Sequence, residues 1–113
     1  YPHENTEIVL IGWGSTYGAL REALDVLINQ GMDVSLMHFQ EIWPFPTQFV
    51  SSILSKAKKS FCVENNATGQ LAHIIRAETG KQVTAKILKF DGRPFSSQYI
   101  IRELKKGGKT WSL

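Results

Sequence analysis

The sequence predicts an α/β fold: three layers, α/β/α, with helices on both faces of a mostly parallel central sheet. Three observations carry this. Strand-type and helix-type patterns alternate along the chain in the order βαβαβαβα, the signature of successive βαβ units with right-handed crossovers. The first strand is an uninterrupted apolar run, Ile8-Val9-Leu10-Ile11, which suits a strand buried on both faces. That run enters a glycine-rich turn, Gly12-Trp13-Gly14-Ser15-Thr16-Tyr17-Gly18, which opens a helical pattern.

Each element has its own warrant. The first strand is read as Glu7 to Ile11, ending in a tight turn that Gly12 and Gly14 allow. The first helix runs from about Thr16 to Gln30. Its apolar face is Leu20, Ala23, Leu24, Leu27 and Ile28 at helical spacing, and Gly31 ends it. Ser15 and Thr16 are placed to cap its start. The second strand, Asp33 to Phe39, ends in Gln40-Glu41-Ile42-Trp43-Pro44-Phe45-Pro46, a loop stiffened by two prolines.

The second helix starts near Thr47 and shows Phe49, Val50, Ile53, Leu54 and Ala57. The third strand is Ser60 to Glu64, followed by a polar loop, Asn65-Asn66-Ala67-Thr68-Gly69. The third helix carries Leu71, Ile74 and Ile75 and stops at Gly80, with Thr68 as its expected cap. The fourth strand is Val83 to Phe90, and Asp91-Gly92-Arg93-Pro94 make a turn. A last helix spans Ser97 to Lys106 with Ile100, Ile101 and Leu104 on one face. Residues 1–6 read as a linker entering from an upstream domain, 7–106 as a single domain and 107–113 as a loose tail. The chain is expected to be a fragment of a larger polypeptide.

Bulk composition narrows the function classes. A chain of 113 residues with 42% hydrophobic and 20% charged residues is an ordinary one-domain globular sequence. Net charge is +3 with a sequence pI of about 9.1. A basic regulatory or nucleic-acid module rests only on that pI and on Arg102, Lys105, Lys106 and Lys109, which is no nucleic-acid footprint. The single cysteine, Cys62, excludes a disulfide framework and a cysteine-only metal site within the chain, and fits a reducing, cytoplasmic setting. No run reaches membrane-span length and no signal peptide is present, so no membrane partner is expected.

The motifs that carry chemistry are few. Gly12-x-Gly14-x-x-x-Gly18 is one residue longer than the dinucleotide fingerprint, and Glu41 lies too far past the second strand to meet a ribose. Close strand-to-helix packing is the preferred reading. Gly108-Lys109-Thr110 ends like a phosphate loop, but Glu103 stands where glycine belongs and a helix precedes it. His3, His38 and His73 are too far apart for a metal site; His38 reads as a satisfied, partly buried residue and His73 as a polar-face residue. Cys62 in a buried strand reads as an inert small hydrophobe. No catalytic, cofactor-binding or metal-ligating residue is assigned in this stretch.

What remains is a candidate rim. If the first and third strands are neighbours, the loops Gly12 to Thr16 and Glu64 to Gln70 meet where the sheet order reverses, the usual ligand crevice of such folds. Gly12, Trp13, Gly14, Ser15 and Thr16 then face Glu64, Asn65, Asn66 and Gln70. No nucleophile–base pair accompanies them, so a neighbouring domain plugging the crevice is preferred over a small ligand. Trp43 and Phe45 are rigid loop aromatics, and two readings stay open: a lid on the core edge, or anchors of a protein interface. The alternative function is a free-standing flavodoxin-like module for a small anion or nucleotide.

These stretches also carry a resemblance. Ile11 to Gly18, Trp43-Pro44-Phe45-Pro46, Val63 to Leu71 and Asp91-Gly92-Arg93-Pro94-Phe95 resemble, in the same order, the C-terminal domain of the α subunit of 2-oxoacid:ferredoxin oxidoreductases. The match runs from about Glu7 to Leu104. The domain is itself similar to the C-terminal domain of transketolase. The resemblance implies a whole enzyme that oxidatively decarboxylates a 2-oxoacid, joins the acyl group to coenzyme A and reduces ferredoxin. It implies thiamine diphosphate, Mg²⁺ and an iron–sulfur cluster, held mainly by other domains and by the β subunit. The implied role of this domain is assembly and packing beside the thiamine site. The family's Mg²⁺-binding Gly-Asp-Gly has lost its first glycine in Phe90-Asp91-Gly92, and no asparagine follows. Arg93 is the one charged residue of that turn placed to meet an anionic group of substrate or coenzyme A. The isolated fragment is expected to be inactive.

Overall fold

The computed structural model describes residues 7–40, 45–65, 69–89 and 96–106, the Ser15 side chain excepted. The expectations for Trp43, Asn66, Thr68 and Arg93, for residues 1–6 and for the tail 107–113 lie outside the described residues. Four strands, β1 (Ile8–Trp13), β2 (Val34–Phe39), β3 (Lys59–Glu64) and β4 (Ala85–Leu88), form one sheet in the order β2-β1-β3-β4. All pairings are parallel. Four helices connect and follow them: α1 (Tyr17–Asn29), α2 (Thr47–Lys56), α3 (Gln70–Thr79) and α4 (Ser97–Lys106).

Two apolar cores lie on the two faces of the sheet, because successive side chains of a strand point to opposite sides. On one face Leu10, Leu36, Phe61, Val63 and Ile87 pack against Leu20, Leu24 and Leu27 of α1 and Ile100 and Leu104 of α4. On the other, Val9, Ile11, Met37, Phe39 and Cys62 pack against Val50 and Ile53 of α2 and Leu71, Ala72 and Ile75 of α3. The three layers expected from the alternating pattern are therefore present. The β1 run is buried on both faces because it sits between β2 and β3 and beneath helices on each side.

The boundaries differ from expectation in instructive ways. β1 continues through Gly12 and Trp13, which pair with His38 and Phe39 of β2. Gly12 is thus a strand residue and not part of the turn, which is a 3₁₀ segment, Gly14–Thr16. A Cβ on Gly12 would collide with Leu20 Cδ1 and stand 3.0 Å from Thr16 Oγ1. The missing side chain lets the start of α1 lie close against β1, as the packing reading requires. Thr16 does not cap the helix: its hydroxyl donates to the Trp13 carbonyl at 3.0 Å. β4 starts two residues later than its apolar pattern suggests. Just ahead of it, side chains replace the ladder: Ser60 N–H donates to Thr84 Oγ1 at 2.8 Å and Thr84 N–H to Ser60 Oγ at 3.0 Å.

Candidate functional site

The strand order reverses between β1 and β3, since β1 connects outward to β2 and the chain then returns past β1 to β3. β1 and β3 pair as far as Ile11 with Cys62, and Trp13 and Glu64, two residues on, end their strands at the same C-terminal rim. The glycine turn and the Glu64 loop share one edge of the sheet. Trp13 is 36% exposed, and Gly14, Asn65 and Gln70 are also exposed.

Glu64 is not a crevice side chain. It is fully buried, on the face that carries Cys62. Its Oε1 accepts the Leu71 N–H at 2.5 Å and its Oε2 accepts the Ala72 N–H at 3.0 Å. The carboxylate therefore binds the first free amides of α3, where negative charge is also favoured by the helix dipole. Gly69 precedes the helix with φ +71°, and a Cβ there would stand 2.8 Å from Lys86 Cδ. Cys62 Sγ donates to Glu64 Oε2 at 3.4 Å. Burial first, then the adjacent Glu64 charge, pushes the Cys62 thiol well above its ordinary value of 9.0. It is a structural thiol, not a nucleophile. The carboxylate that chain order alone placed in a ligand crevice is the clasp that joins β3 to α3.

The aromatic loop residue Phe45 is half-buried and stacks on Phe39, ring centroids 5.7 Å apart. It belongs to the edge of the second core, as a lid does. A cavity lies beside β2, on the other side of β1 from the expected crevice. About 630 Å³ in volume, it is lined by Gly14, Tyr17, Leu36, Met37, His38, Gln40 and Phe49. His38 Nε2 donates to the Gly14 carbonyl at 3.0 Å, and its ring meets Tyr17 edge-on at 4.9 Å. A carbonyl only accepts, so it is Nε2 that carries a proton in this bond. Sequence reasoning placed only Gly14 of these residues at a site. The signal for the rest was weak: Tyr17 and Phe49 stand at helix positions whose exposure depends on how α1 and α2 flank β2.

Chemically, the rim offers packing and hydrogen bonding. Among the described residues no three His, Cys, Asp or Glu side chains come close enough to hold a metal ion. With one buried cysteine and no such acidic or imidazole cluster, the described residues do not fit Mg²⁺ or an iron–sulfur cluster as ligands. Nor does any helix among them have the length and apolarity to cross a membrane.

These features define a class: a doubly wound α/β domain with an all-parallel sheet and helices on both of its faces. Residues 6–100 match the family described as pyruvate:ferredoxin oxidoreductase core domain II, and the chain belongs to that family. The chain is 34% identical to the α subunit of 2-oxoacid:ferredoxin oxidoreductase 1 of Sulfurisphaera tokodaii, covering 96% of this chain and 18% of that protein. The fold is similar to a 2-oxoglutarate:ferredoxin oxidoreductase of Magnetococcus marinus solved with 2-oxoglutarate, coenzyme A and succinyl-CoA bound. The TM-score is 0.84 at 33% identity, over 93% of this chain and 18% of that one. It is also similar to the α chain of a probable 2-oxoacid ferredoxin oxidoreductase of Thermoplasma acidophilum. There the TM-score is 0.62 at 33% identity, over 92% and 90% of the two chains. The chain spans less than a fifth of the length of the first curated relatives it matches.

Proposed function

We propose that this chain serves as a packing and assembly domain of a 2-oxoacid:ferredoxin oxidoreductase α subunit. The whole enzyme oxidatively decarboxylates a 2-oxoacid, transfers the acyl group to coenzyme A and reduces ferredoxin. One observation carries the reading: the family match over residues 6–100 falls on a fold whose described residues lack a ligand set or a nucleophile–base pair. In this reading thiamine diphosphate, Mg²⁺ and the iron–sulfur cluster are held by other domains and by the β subunit, and the setting is cytoplasmic. Residues 7–106 form the domain, residues 1–6 link it to upstream domains, and 107–113 form a tail. The exposed rim residues Trp13, Gly14, Asn65 and Gln70 face a neighbouring domain, with Gly12 and Thr16 packed beneath them; Ser15, Trp43, Asn66 and Arg93 are assigned to the same interface. Glu64 and Phe45 support the rim from within.

The test is to express the full-length α subunit with its β subunit and to follow ferredoxin reduction with 2-oxoacid and coenzyme A. Reduction that requires both substrates is expected, with none from the 113-residue chain alone. An assembled α/β enzyme inactive with both pyruvate and 2-oxoglutarate overturns the reading, as does turnover by the isolated chain.

A further inference from the structure

The cavity beside β2 is a feature of the rim that the proposed function leaves unused. We propose that it seats an uncharged, apolar segment of the same α-subunit polypeptide from outside these 113 residues. The inference rests on the function proposed above, and it identifies the partner of the rim.

Four observations support it. Among the described residues the lining contains no Lys, Arg, Asp or Glu, in a chain where 20% of residues are charged. Depletion of charge with enrichment of aromatic residues and Met marks the centre of protein interfaces. Phe49 is 52% exposed and Tyr17 40%, and both line the cavity mouth; with Trp13 they make three of the five large hydrophobic residues exposed among the described residues. Rings so placed are the usual anchors of a docked partner. The volume, about 630 Å³, has room for more than one apolar side chain. Finally, in the first curated relatives and in the Magnetococcus marinus enzyme the matched stretch is only 17–18% of the polypeptide, so in those proteins a long remainder of the same chain is at hand to fill the cavity.

The choice of the same polypeptide follows from effective concentration. A tethered segment meets the cavity at millimolar local concentration, about 10²–10⁴-fold more favourably than an untethered one of equal contact quality. It covers the aromatic rim as soon as the chain folds, whereas a separate subunit leaves the rings exposed until assembly. His38 adds a polar contact. Its Nε2–H donates to the Gly14 carbonyl, which leaves Nδ1 as the ring nitrogen a docked segment can hydrogen-bond.

The experiment uses the full-length α subunit assembled with its β subunit. Phe49→p-benzoylphenylalanine is photolysed and the linked peptides are mapped by mass spectrometry. The same replacement at Gln82, exposed ahead of β4 at the opposite rim, serves as the control. The expected result is a link from position 49 to a segment of the same polypeptide outside residues 1–113, at least tenfold above that from position 82. Links mainly to the β subunit, to a second copy of this domain or to no protein segment overturn the proposal. Ferredoxin reduction by the wild-type assembly, followed in parallel, separates the two failures. An active enzyme that lacks the expected link sinks the docking inference alone, while an inactive wild-type assembly sinks the functional reading.

Discussion

Gly12 and Glu64 fix the rim at the level of single residues, by opposite means. Gly12 works through an absent side chain. Leu20 and Thr16 fill the space a Cβ would take, and Leu20 is fully buried, so it has little room to move. Gly12→Ala is expected to destabilise by about 1–3 kcal/mol through overpacking, read from urea or thermal unfolding. Glu64 works through a charge that is present. Glu64→Ala removes the acceptor of two α3 amides and should cost about 2–3 kcal/mol, whereas Glu64→Gln keeps one acceptor oxygen and should cost less. Cys62 supplies a pH test. Its folded-state pKa lies above 9.0, so the unfolded chain loses that proton first as pH rises. The thiol's contribution to stability is complete below pH 9.0 and is lost as pH rises through the folded-state value. Wild type should therefore lose more stability above pH 9.0 than Cys62→Ala, measured by urea unfolding between pH 8 and pH 10.5.

Elements were more legible than the contacts between them. The apolar periodicity located four strands and four helices in the right order, because each must present a continuous apolar face to one of two cores. Burial of the Leu71 and Ile75 face of α3, and of Ile100 and Leu104 in α4, follows directly from that spacing. The ends were less legible. β1 runs two residues beyond its apolar stretch because β2 pairs with Gly12 and Trp13, a tertiary fact. β4 is shortened because the hydroxyls of Ser60 and Thr84 replace backbone pairing. The inward turn of Glu64 had a faint signal: it shares strand parity with Cys62, and α3 has no acidic residue in its own first turn. The position of the cavity had none, because it depends on where α1 and α2 start relative to β2. Ile100→Ala tests the layer that α4 closes. Deleting a fully buried side chain against β3 and β4 should cost about 2–5 kcal/mol, read as a lowered unfolding midpoint.

At the scale of the whole molecule, two apolar cores flank one parallel sheet. Parallel strands deliver both switch-point loops to the same rim, and two buried cores hold that rim rigid. The family supplies the setting, a subunit more than five times longer than this domain in the first curated relatives. The account requires the rim to be covered in the assembled subunit. Hydrogen exchange tests this most directly, because the first amides of a helix have no intrahelical acceptor and exchange quickly unless something covers them. In the assembled α/β enzyme, the amides of residues 14–18, 48 and 49 should exchange much more slowly than those of Lys58 and Gln82 at the opposite rim. Equal, fast exchange at both rims would contradict the account.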